Sequence, residues 1–222
     1  MSTPCIHEFF QTHEHEAPTT SYGPTIIYDS DRTMLASLLA FQGYTRGVEV
    51  GVESGKFAKV LFTHIPDLTL YGVDIWSSDG DYRAHVTDDQ YQRIYESACA
   101  RLSGYNWTPL RQYSVEAAAS FDDGSLDFVY LDANHDREHL DADLRAWTPK
   151  LRSGGIMSGH DYVRESWKPS YNRARNDVID TLAAWTTEQR ISPWYVLGRA
   201  DKHHAGVDER IEAARSWWWV HK

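Results

Sequence analysis

The sequence predicts a doubly wound α/β domain with a mostly parallel sheet and helices on both faces. Short apolar stretches of strand character alternate with segments of helical periodicity, the pattern of β–α–β units joined by right-handed crossovers. Four strand-like stretches also run into a glycine turn or an acidic end, at Gly51–Gly55, Asp74, Asp132 and Asp161. Nothing in the chain repeats and no linker divides it. Residues 1–28 lack periodicity and are expected to form an arm or lid, leaving 29–222 as one domain.

Taken in order, Asp29, Ser30 and Asp31 offer a cap for a helix with Met34, Leu35, Leu38, Leu39 and Phe41 on its apolar face, stopped at Gly43. Gly47-Val48-Glu49-Val50 reads as a buried strand that enters the Gly51–Gly55 turn. Phe57, Val60, Leu61 and Phe62 mark the helix after it, with Pro66 beyond its end. Leu68 to Val73 is the second strand, ending on Asp74. Thr87-x-x-Gln90 is a capping box, and Tyr91, Ile94, Tyr95, Ala98 and Leu102 continue that helix. A third strand is expected over Leu110–Tyr113, and a fourth over Ser125–Leu131, ending on Asp132. Leu140, Leu144, Trp147 and Leu151 fall on one helix face. Gly154 to Ser158 starts a fifth strand, which ends at Gly159-His160-Asp161. Val178, Ile179 and Leu182 mark a late helix, and Trp194–Leu197 and Ser216–Val220 two late strands.

Composition narrows the function. The chain has 222 residues, 41% of them hydrophobic and 24% charged, which suits an ordinary folded domain. The net charge of −10, from 32 acids against 22 bases, argues against a phosphate backbone as partner. No apolar run nears the roughly 18–20 residues that span a bilayer. Two cysteines, Cys5 and Cys99, allow neither a disulfide framework nor a cysteine zinc cage. These features lead us to expect a cytoplasmic protein that acts on a small molecule and leaves nucleic acid and membrane alone. Nine tryptophans and thirteen tyrosines point to a large core, with self-association left open.

The strand ends carry the chemistry, because open α/β sheets bind ligands beyond the carboxyl ends of their strands. Glycines in the first turn let a ligand approach backbone amides at a helix N-terminus. A carboxylate at Asp74, at the end of the second strand, can accept the two hydroxyls of a ribose. Glu49-Val-Gly51-Val-Glu-Ser-Gly55 resembles the cofactor motif of class I S-adenosylmethionine (SAM)-dependent methyltransferases, in the variant of the catechol O-methyltransferases. Ser125-Leu-Asp-Phe-Val-Tyr-Leu-Asp132-Ala-Asn-His135, with Leu151-Arg-Ser-Gly154-Gly155-Ile-Met-Ser-Gly-His160-Asp161-Tyr162, is similar to the bacterial branch of macrocin and mycinamicin sugar O-methyltransferases. The likeness covers about residues 45–163. It implies a Rossmann-like methyltransferase fold with its last strand antiparallel. It also implies Glu49, Gly51 and Gly55 at the methionine end of SAM, Asp74 on the ribose, Ser114 with Val115 at the adenine, and Asp132 beside the cofactor.

A hydroxyl is a poor nucleophile until deprotonated, so methyl transfer to oxygen needs a base or a metal. The resemblance implies a divalent ion (magnesium, manganese or iron) held by Asp132, His160 and Asp161. It departs from the family at His160, where a carboxylate is usual; imidazole suits manganese or iron better than magnesium. His135, three residues after Asp132, matches the general base of the mycinamicin-type enzyme. The expected function is therefore SAM-dependent, metal-assisted O-methylation of a phenol or a sugar hydroxyl in a secondary metabolite. Two alternatives stay open: metal-independent N-methylation, and a non-catalytic SAM-binding interaction protein. Tyr22, Trp76, Tyr162 and Trp167 are candidates to stack on a planar substrate. His13-Glu14-His15, His203-His204 and Trp217–Trp219 read more simply as solvated or core residues.

Overall fold

The computed structural model describes residues 9–10, 13, 15–28, 30–79, 86–163, 176–198 and 215–222. Its strands are β1 (His15–Glu16), β2 (Thr25–Ile27), β3 (Arg46–Val50), β4 (Thr69–Val73), β5 (Trp107–Leu110), β6 (Leu126–Leu131), β7 (Leu151–Gly159), β8 (Tyr195–Leu197) and β9 (Ser216–Val220). They form one sheet in the order β1-β2-β8-β9-β7-β6-β3-β4-β5. The run from β7 to β5 is parallel, and β9 is antiparallel to both β7 and β8. The helices are α1 (Arg32–Phe41), α2 (Lys56–His64), α3 (Asp88–Arg101), α4 (Ser114–Ala118), α5 (Arg137–Trp147) and α6 (Val178–Glu188). No described helix is long and apolar enough to cross a membrane.

Two cores cover the two faces. Val48, Val50, Val129 and Met157 point toward Leu144, Trp147 and Leu182 of α5 and α6. Phe128, Tyr130 and Ile156 point the other way, toward α1 and α2, as the two-residue period of a strand requires. Trp217, Trp218 and Trp219 alternate between these cores, each no more than 2% exposed. The doubly wound architecture is as expected, and so are two caps. Asp31 accepts the Met34 N–H at 3.0 Å, and Thr87 and Gln90 close a reciprocal capping box.

Several elements differ from expectation, each for a physical reason. The third strand starts three residues earlier, at Trp107, and includes Pro109. Proline is tolerated there because β5 is the sheet's edge. Leu151 begins β7 instead of extending α5, because α5 stops at Trp147 and a 3-10 turn through Pro149 redirects the chain. Within the segment expected as an arm, β2 pairs in parallel with β8, and β1 pairs with β2. Asp29, Glu14, Trp167, His203 and His204 lie outside the described residues.

Candidate functional site

The strand ends converge because the ladder continues one residue past each strand. Gly51 N–H donates to Val73 O (2.8 Å), Asp132 N–H to Val50 O (2.7 Å), Asp74 N–H to Leu110 O (3.2 Å) and His160 N–H to Leu131 O (3.0 Å). This puts Gly51, Asp74, Asp132 and His160 in a row along the carboxyl edge. Beside the row opens a cavity of about 570 Å³, lined among others by Gly51, Asp74, Trp76, Ser114, Asp132 and Asp143.

Asp74 holds the mouth of this cavity together. One carboxylate oxygen accepts the Glu53 N–H and the other the Trp76 N–H, both at 2.9 Å. The buried Trp76 indole returns a hydrogen bond to Glu53 O at 2.8 Å. Glu53 and Trp76 both sit at positive φ, 52° and 42°, a conformation that costs a non-glycine residue about 1–3 kcal/mol. Such strain persists only where neighbouring contacts over-determine it, and here the Asp74 clamp supplies them.

Ser114, at the start of α4, accepts the Trp147 indole N–H at 2.8 Å and hydrogen-bonds to Asp143. Asp143 is 5% exposed, and burial raises its carboxyl to about 6 against the help of Ser114 and nearby histidines. Pattern reading missed Asp143, because a single Asp on an amphipathic helix looks solvent-facing until packing turns it inward. Asn134, Asp136 and His139 also line the cavity and were likewise unremarkable in sequence.

Glu49 and Gly55 do not line the cavity. Glu49 is 1% exposed, and its carboxyl receives the Ala58 N–H in the first turn of α2, whose N-cap Gly55 has no side chain to offer. Burial pushes the Glu49 carboxyl well above its ordinary value, with Asp132 adding to the rise and Arg32 opposing it. Gly51, at φ +88°, has a reason beyond ligand clearance. A Cβ there would lie 2.1 Å from the carbonyl oxygen of Asp132, so the glycine allows β3 and the β6 end to touch. Tyr22 and Tyr162 do not line the cavity; Trp76 does.

His135 lies 5% exposed beyond β6, between two carboxylates. Its Nε2 is 3.4 Å from Asp132 Oδ1 and its Nδ1 3.1 Å from Asp161 Oδ2. His160 Nδ1 stands farther off, 3.8 Å from Asp132 and 3.6 Å from Asp161, and burial lowers its pKa against the pull of those two acids. Asp161 is at φ 56° and its carbonyl accepts the Asn176 amide at 3.1 Å. Asp132, His160 and Asp161 therefore do come together. Yet among the described residues no group of three or more His, Cys, Asp or Glu is arranged to hold a metal ion. Both carboxylates instead face the His135 ring. As arranged, the set does not fit a divalent ion.

Residues 48–162 match a family described as a methyltransferase domain. In fold the chain is similar to a provisionally assigned O-methyltransferase of Klebsiella pneumoniae, with a TM-score of 0.58, 14% identity, and 86% of this chain and 79% of that one covered. It is also similar to the N-methyltransferase NodS of Bradyrhizobium japonicum, with a TM-score of 0.54, 13% identity and coverage of 86% and 94%. A third similar structure is the O-methyltransferase TomG of Streptomyces achromogenes in complex with SAM, with a TM-score of 0.53, 15% identity and coverage of 86% and 79%. No curated protein matches the chain.

Proposed function

The chain belongs to the methyltransferase-domain family as a class I SAM-dependent enzyme, and on that premise we propose that it methylates a hydroxyl of a small molecule, with His135 as general base. The observation that carries this reading is the His135 imidazole held between Asp132 and Asp161, at 3.4 and 3.1 Å, next to the strand-end cavity. An amine can attack as the free base, whereas a hydroxyl must lose its proton, and an imidazole oriented by a carboxylate at one nitrogen can take it at the other.

The cavity suits SAM in size and charge. Its volume of about 570 Å³ lies within the range of about 300–1,000 Å³ usual for small-molecule sites. Its acids include Glu53, Asp74, Asp132 and Asp143. SAM supplies an electrophilic methyl group on a sulfonium cation. In our assignment Asp74, at the mouth of the cavity, also accepts the ribose hydroxyls. Ser114 and Asp143 meet the adenine end, and Gly51 brings the backbone close. In this assignment His135 Nδ1–H donates to Asp161 at 3.1 Å and fixes the ring, and Nε2, on the Asp132 side at 3.4 Å, takes the acceptor's proton.

His135→Ala should lower turnover by about 10²–10⁴-fold with SAM affinity nearly unchanged, measured by methyl-transfer assay and calorimetry. The deficit should shrink as pH rises and the acceptor hydroxyl ionises unaided. Turnover should also persist in excess chelator. Loss of activity on chelation, restored by manganese or iron, would overturn the metal-free route and return Asp132, His160 and Asp161 to the role of ligands. A deficit in His135→Ala that does not change with pH would remove His135 as base.

A further inference from the structure

A second cavity, of about 1,020 Å³, lies at the opposite end of the sheet. It opens at the amino ends of β7 and β8 and the carboxyl end of the antiparallel β9, among residues such as Ser153, Pro193 and Val220. The reaction described above does not use it. Its walls include Trp185 and Trp219, and the indole N–H of Trp185, a residue only 5% exposed, is buried with no hydrogen-bond partner among the described residues. A buried tryptophan N–H ordinarily finds an acceptor. Arg190, Lys222, His15 and His221 are its basic lining residues, and none of the described lining residues has an acidic side chain. In a chain of net charge −10 that absence is a local reversal of sign.

Arg190 adds an independent reason to look here. Four described residues other than glycine have a positive φ. Three of them, Glu53, Trp76 and Asp161, belong to the strand-end site, and the fourth is Arg190, at 53°. Arg190 follows the last turn of α6, where the Ile191 N–H reaches back to Thr186 O at 2.8 Å. Glycine is the usual residue at such a helix end because it has no Cβ to strain. An arginine held there keeps a cationic residue in the cavity lining at a conformational cost.

We propose that this cavity is a second small-molecule site, selective for an apolar, aromatic anion such as an arene carboxylate, with Arg190 and Lys222 facing the anionic group and Trp185 and Trp219 covering the ring. Burial lowers the pKa of His221, so at neutral pH the fixed positive charge comes from Arg190 and Lys222. A neutral arene keeps the apolar contacts and loses the charge pairing, so the site discriminates by charge as well as by shape.

The test uses the full chain and two probes, 2-naphthoate and its neutral counterpart 2-naphthylmethanol, followed by calorimetry with and without saturating S-adenosylhomocysteine. One naphthoate should bind per chain, at least tenfold more tightly than the alcohol and independently of S-adenosylhomocysteine. Arg190→Gly should weaken naphthoate at least tenfold and the alcohol little. It should also raise Tm by about 1–4 °C, because glycine relieves the left-handed strain. Lys222→Glu should lower naphthoate affinity without that stabilisation. Three results would overturn the proposal: no saturable naphthoate binding, competition between naphthoate and S-adenosylhomocysteine, or an affinity that ignores both substitutions. None of these outcomes bears on methyl transfer, so failure here is distinct from failure of the O-methyltransferase reading.

Discussion

Between about pH 4 and pH 6 the folded protein keeps a proton on Asp143 that the unfolded chain has already released, since burial raises this carboxyl from its ordinary 3.8 to about 6. The folded state binds more protons in that window, so Asp143 makes stability fall as pH rises through it. A shift of about two units corresponds to roughly 3 kcal/mol at most, fully lost above pH 6. Asp143→Asn should therefore be more stable than the parent at pH 7.5 and nearly equal to it at pH 4, as thermal melts across pH will check. Equal melting curves at both pH values would place Asp143 in a wetter setting than its 5% exposure implies. Glu49 shifts in the same direction and remains in the variant, so some pH dependence should persist. A carboxyl held at such cost beside Ser114 is the kind of residue expected in a ligand site.

The turn between β3 and α2 shows how one element serves two structural ends. Gly51 lets the backbone of β3 touch that of Asp132, and Glu49 caps the helix that Gly55 leaves bare. The resemblance implies both glycines at the cofactor, whereas the 2.1 Å approach to a carbonyl oxygen makes Gly51 a requirement of folding first. Gly51→Val should lower Tm steeply or prevent folding, by more than the roughly 1–3 kcal/mol of backbone strain alone. Thermal melts and SAM calorimetry on one preparation will separate the effects. An unchanged Tm with lost affinity would restore the simpler reading of the turn. The edge strand β5 makes a related point: Pro109 obscures it in sequence, and only its place at the sheet margin makes the proline harmless.

At the scale of the molecule, charge is distributed by site. The strand-end cavity collects Glu53, Asp74, Asp79, Asp132, Asp136 and Asp143, and the second cavity collects cations. SAM carries a net positive charge that S-adenosylhomocysteine lacks, so SAM affinity should fall several-fold from 20 to 500 mM salt while that of S-adenosylhomocysteine changes little. Calorimetry at the two salt concentrations checks this, and parallel behaviour of both ligands would show that the acids are too screened to matter. The sequence by itself determined the doubly wound class, the helix caps at Asp31 and Thr87, and the acidic strand ends Asp74, Asp132 and Asp161. These follow from local periodicity and short-range hydrogen bonding. Tertiary structure decided the rest. It turned Glu49 toward the first turn of α2, buried Asp143, drew β1 and β2 into the sheet beside β8 and placed the His135 ring between two carboxylates. The reason is that burial and long-range pairing depend on which strands become neighbours, and strand order is not written in the period of any single segment.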